Sequence, residues 1–115
     1  MATPLDVLAR RALLYDFYGL ALRERQRKAY QLHYLEDLSL AECAEEMQCS
    51  RPAALLLVRR AEKTLEELET AIGSIAQHAR DVSAWQAVLA AAERRDLDAL
   101  RAIATDRLKE LAADV

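Results

Sequence analysis

The side chains able to do chemistry in this chain are cations and carboxylates rather than nucleophiles. Arg23, Arg25, Arg27 and Lys28 crowd one short segment, and Ser50, Arg51, Arg59, Arg60 and Lys63 make a second polar group further along. The Arg23–Lys28 cluster reads either as a solvated face or as a docking patch, in which guanidinium forks and ammonium heads suit phosphates or carboxylates. Candidates for catalysis are thin. Cys43, Cys49, His33 and His78 have neither the number nor the spacing of a tetrahedral zinc site, so no metal is expected. The pairs Glu36–Asp37 and Glu45–Glu46 are sequence neighbours, which on a helix do not face each other. Gly19 and Gly73 stand alone, so there is no glycine-rich phosphate loop and no cofactor is expected. Both cysteines read as reduced packing residues of a cytoplasmic protein. His33 reads as a surface or half-buried residue and His78 as a partner for a helix C-terminus. The expectation is a binding protein, not an enzyme.

The elements that must position these residues are helices. Ala and Leu fill 43 of the 115 positions, whereas Val, Ile and Thr together supply 12 and Gly and Pro two each. Sheets need β-branched residues and turn formers, so the fold class is all-α. At 53% hydrophobic and 30% charged the chain can build a core. The net charge of −3 gives no global pull towards nucleic acid or membrane. No apolar run suits a membrane span and no signal peptide opens the chain.

Thr3-Pro4-Leu5-Asp6 starts a helix to about Gly19. A second helix, roughly 23–36, begins among cations at the unfavourable end of the dipole. Ser39-Leu40-Ala41-Glu42 is a capping box opening a short helix to about 47, and Ser50 caps a fourth with Pro52 in its first turn. Ala61, Leu65, Leu68, Ile72, Ile75 and Ala79 are spaced as a coiled-coil seam, which extends the fourth helix to about 80 and offers a dimer contact. Ser83 caps a fifth helix and Asp96 a sixth, whose apolar stripes would cover that seam, with Trp85 as the packing anchor or a partner contact. This divides the chain into residues 1–80 and a two-helix extension, 81–115.

The third and fourth helices, joined by about three residues, have helix-turn-helix spacing, with a plain helical hairpin as the alternative. Ala44 suits the crossing, and Cys43, Met47, Cys49, Ala54 and Leu57 the inner faces. Gln48 holds the turn position where glycine is expected and must enter left-handed backbone space.

Leu14-Tyr15-Asp16-Phe17-Tyr18-Gly19, Gln26-Arg27, the run from Tyr34 to Glu42, Ala44-Glu45-Glu46, Ser50-Arg51 and Arg59-Arg60-Ala61-Glu62-Lys63 together resemble the YlxM family over residues 13–69. The resemblance implies a core like region four of bacterial sigma factors and an accessory role in the signal recognition particle pathway. Family members carry Thr where this chain has Arg23, and hydrogen-bonding residues where it has Pro52, Leu55, Leu56 and Leu57.

That departure weighs on function. A reading helix contacts base edges from its first turns through Arg, Asn or Gln, and here only Ser50 and Arg51 remain for the task. From Leu22 to Lys63 there are 8 basic and 7 acidic residues, a weak electrostatic base for specific DNA binding. Leu55 and Leu56 read instead as a contact to a partner, a second copy or the chain's own C-terminal helices. The expected function is thus a non-catalytic accessory protein that binds protein or ribonucleoprotein. The alternatives are a DNA-binding transcriptional regulator and a dimerisation module. Arg23, Arg25, Arg27, Lys28, Ser50, Arg51, Arg59, Arg60 and Lys63 are the candidate nucleic-acid contacts, and a homodimer is expected.

Overall fold

A computed structural model describes residues 3–113. Six α-helices follow in order: α1 Pro4–Tyr18, α2 Glu24–Tyr30, α3 Leu40–Met47, α4 Arg51–Ile72, α5 Ser74–Glu93 and α6 Leu97–Ala113. A 3₁₀ turn, Gly19–Ala21, precedes α2 and a π-helical turn, Gln31–Leu35, extends it. The described residues contain no strand. None of their helices is long and apolar enough to cross a membrane.

Capping chemistry fixes the boundaries. At α1, Asp6 N–H donates to Thr3 Oγ1 (3.1 Å) while Thr3 N–H donates to the Asp6 carboxylate (3.0 Å). These bonds hold the Asp6 carboxyl below its ordinary pKa. Arg23, by contrast, precedes α2 without any side-chain cap. The π turn closes through Glu36 N–H to Gln31 O (2.9 Å), and Asp37 then adopts φ 59°.

The chain falls into two compact units, one running to Ile75 and the next beginning at Ala76. In the first, α4 is the central strut. Its residues Ala54 and Val58 pack on Ala29, Leu32, Cys43, Ala44 and Met47, and further along Ala61 and Leu65 pack on Leu14, Tyr18, Leu22 and Tyr30. The Cys43 thiol is buried there, which pushes its pKa up. Tyr30 stacks on Tyr15 and meets Tyr34 edge-on, and its hydroxyl donates to Arg11 O at 3.0 Å. The second unit pairs the rest of α5 with α6. Arg95 enters left-handed space at φ 55° between them, and Asp96 caps α6 by accepting from Ala99 N–H (3.0 Å).

Three expectations change. The seam from Ala61 to Ala79 is not one helix: Gly73, at φ 74°, ends α4, Leu65 is buried in the core and Ile72 is exposed. The fifth helix starts at Ser74, so Ser83 lies mid-helix and His78 sits near the N-terminal end. Trp85 is 71% exposed and anchors no packing. The break at Gly73 has a side-chain reason. Glu69, buried on α4, accepts at one carboxylate oxygen from Tyr18 Oη (2.6 Å) and from Ile75 N–H (2.9 Å), while Ser74 N–H donates to Tyr18 Oη (3.0 Å). The orphan amides that open α5 are thus satisfied from α1 and α4.

Candidate docking face of the helix-turn-helix

The site is built by two caps and a turn. Ser39 and Glu42 satisfy each other's amides at 3.0 and 3.1 Å, and these bonds lower the Glu42 pKa. At the far end of α3, Gln48 takes φ 54°. Its N–H reaches Glu45 O (3.2 Å) and the Cys49 N–H reaches Ala44 O (3.0 Å), the paired bonds of a Schellman turn. Ala44 and Cys49, the residues that such a turn brings together, both pack in the cluster around Ala54 and Val58. Ser50 then caps α4, its Oγ accepting from Ala53 N–H at 3.2 Å.

With the turn set, burial decides what α4 shows to the outside. Ala54, Val58, Ala61 and Leu65 point inward. Pro52, Leu56, Arg59, Arg60 and Lys63 are exposed, Leu56 by 47%. Leu55 and Leu57 are half-buried. Of the two leucines expected to contact a partner, therefore, Leu56 stands fully on the outer face and Leu55 lies on its flank. Arg51 is exposed at the helix start, but the Ser50 hydroxyl is committed to its cap.

Apart from Arg59, which is exposed on α4 and lines neither, the remaining predicted cations divide between two hollows. Arg23, Arg60 and Lys63, with Gln26, Thr64 and Glu67, line a groove of about 460 Å³ between α2 and α4. Lys63 lies 3.9 Å from Glu67 across one helical turn. Arg25, Arg27 and Lys28 line a cleft of about 450 Å³ against Glu46, Met47 and Gln48, where Arg25 donates weakly to Met47 O at 3.4 Å. The outer face of α3 has the opposite sign, with Glu42, Glu45 and Glu46 around a shallow hollow beside Leu38. Trp85 belongs to the other unit.

A second charged system escaped sequence reasoning. Arg10 grips Glu66 through Nε (3.2 Å) and Nη2 (2.9 Å), and Arg11 lies 3.8 Å from Glu62 with its guanidinium carbon 3.8 Å from the Tyr34 ring centre. Burial and the bond to Glu62 push the Tyr34 pKa up to about 12. The signal was present: Glu62, Glu66 and Glu69 are spaced four and three apart, an acidic stripe on α4 that asks for a basic helix beside it.

A capped short helix, a left-handed turn and a second helix with its inner face in the core define a helix-turn-helix protein. The family described as "Putative helix-turn-helix protein, YlxM / p13 like" (UPF0122) matches residues 6–98. The chain belongs to this family. A UPF0122 protein of Symbiobacterium thermophilum is 45% identical over 90 residues, which cover 78% of this chain and 84% of that protein. One from Thermoanaerobacter is 41% identical over 66 residues, covering 57% of this chain and 56% of that protein. Another, from Halalkalibacterium halodurans, is 44% identical over 73 residues, covering 64% and 67%.

Proposed function

We propose that the chain is a non-catalytic accessory protein of the cytoplasm that docks onto a protein or ribonucleoprotein through the outer face of α4. The signal recognition particle pathway is the setting that its likeness to the YlxM family suggests. The supporting observation is Leu56, half-exposed at the point where a reading head needs donors, with Pro52 one turn before it and Arg59, Arg60 and Lys63 after it. An exposed leucine with cations along one side suits a partner with an apolar pocket and an acidic edge. A helix N-terminus is a ready phosphate site, and that of α3 is already filled by the Glu42 carboxylate. Glu45 and Glu46 add like charge to any phosphate approaching that helix.

The second reading is duplex DNA binding, favoured by the free position of Arg51 at the start of α4 and by Arg23, Arg60 and Lys63 around one groove. Titration with the reconstituted particle, its GTPase and its RNA, against random-sequence duplex at two salt concentrations separates the readings. The expected result is particle binding that Leu56→Glu abolishes, with only weak duplex binding that fades as salt rises. Tight, sequence-dependent duplex binding that survives physiological salt overturns the proposal.

A further inference from the structure

The second unit leaves a burial problem. Among its described residues only Ala91 is buried, and a two-helix piece of this length does not hold itself together without a cover. The two helices run antiparallel, with Asp81 paired to Arg107 across them and Ala84 and Ile103 lining the same cleft. Arg80, Asp106 and Glu110 make one side of this hairpin polar.

The other side is apolar. Val82, Trp85 and Leu89 form one stripe on α5, and Leu97, Leu108 and Leu111 another on α6; all six are 41–76% exposed. Each stripe lies about 100° further round its helix than the residues facing the partner helix, counted in the chain direction. Because the helices are antiparallel, equal rotations bring both stripes to the same side. The hairpin therefore carries a continuous apolar face two helices wide.

We propose that a second copy of the chain covers this face, the two hairpins closing about a two-fold axis into a four-helix bundle. Area supports that occupant. A leucine-sized side chain removes roughly 60–120 Å² of apolar surface on full burial, and an aromatic one about 150–250 Å². Scaled by their exposure, the six residues offer on the order of 450 Å² per copy. A standard interface takes about 800 Å² per partner, of which about 65%, or roughly 520 Å², is apolar in homodimers. Ala104, exposed on the α6 stripe between Leu97 and Leu108, contributes to the difference. The dimer contact is thus assigned to the hairpin rather than to the seam from Ala61 to Ala79, of which Ala61, Leu65 and Ile75 are already buried in the core.

Sedimentation of the full chain across the micromolar range tests this. The expected species is a dimer. Trp85→Glu and Leu108→Glu each shift it towards monomer, with the combined variant raising the dissociation constant by about 100-fold or more. Trp85 is the one tryptophan of the chain, so its emission shifts to the red on dilution of the unmodified protein; this readout stands even if a variant fails to fold. A monomer throughout the range overturns the proposal, as does a dimer that persists in both variants. Emission that moves to the blue only when anionic vesicles are added also overturns it, and assigns the face to a lipid surface.

Discussion

Replacing Tyr18 by Phe removes one oxygen and leaves the ring packing in place, so its effect isolates the hydrogen bonds at the start of α5. Two are lost: the 2.6 Å bond to the Glu69 carboxylate and the 3.0 Å bond from Ser74 N–H. A hydrogen bond to a charged group contributes about 1.5–3 kcal/mol, and a neutral one about 0.5–1.5 kcal/mol. Tyr18 and Glu69 are both buried, so the carboxylate has little water to replace the hydroxyl, whereas Ser74, half-buried, regains part of its loss from solvent. The sum is a destabilisation of about 2–3 kcal/mol, a large share of the roughly 5–15 kcal/mol that holds a domain folded. For a unit of this size the midpoint falls by on the order of 10–20 °C. Urea and thermal melts followed by circular dichroism measure it. Glu69→Gln keeps an acceptor and costs less, and once Glu69 is Ala the Tyr18→Phe change loses most of its effect. A Tyr18→Phe protein within about 0.5 kcal/mol of the parent refutes the reasoning, because that is the scatter of an ordinary surface change.

Gln48→Gly relieves a left-handed residue that costs roughly 1–2 kcal/mol, offset by glycine's extra freedom when unfolded, for a net gain of about 0.5–1 kcal/mol in a urea melt. Glu42→Gln keeps an acceptor for Ser39 N–H but removes a charge whose pKa is lowered by the bonds to Ser39. The parent's advantage over the variant is therefore complete above the ordinary glutamate value of 4.5 and disappears as pH falls through the lowered one, which melts at a series of acid pH values will show. Tyr30 has its pKa raised by burial, so its share of stability is intact below the ordinary value of 10.0 and is lost as pH rises beyond it. Tyr30→Phe flattens that alkaline decline while lowering stability at neutral pH, through the lost bond to Arg11 O, by about 1 kcal/mol.

How far the sequence carried the reading follows from the range of the interactions. The capping boxes at Thr3 and Ser39, the caps at Ser50 and Asp96 and the left-handed Gln48 are set by residues a few places apart, and each is found where its local chemistry puts it. The break at Gly73 was hidden because Ile72 and Ile75 keep the helical spacing on either side, and what closes it is a buried carboxylate held by a tyrosine 51 residues away. Ser83 has the pattern of a cap but no breaker before it, so the helix runs through. Nothing local marks Arg10 and Arg11, because their carboxylate partners lie on α4, more than 50 residues away. Within the candidate face, Ala54, Ala61 and Leu65 were legible as inward from their spacing, but Val58, which is buried, was not, and Leu57, expected inward, is half-buried. That Arg23 meets Arg60 and Lys63, while Arg25, Arg27 and Lys28 turn to another hollow, depends on how α2 crosses α4 and no local rule contains it.

The opposed signs of α3 and of the α2–α4 groove have an outcome for the substance in the tube. A molecule whose charges nearly cancel overall, yet which has an acidic face on one helix and a groove richer in cations elsewhere, carries a net dipole. Near its isoelectric point of about 5.4, and with little salt to mask the poles, such particles draw together pole to opposite pole. Turbidity should then be greatest in dilute buffer and clear on adding sodium chloride, the reverse of salting out.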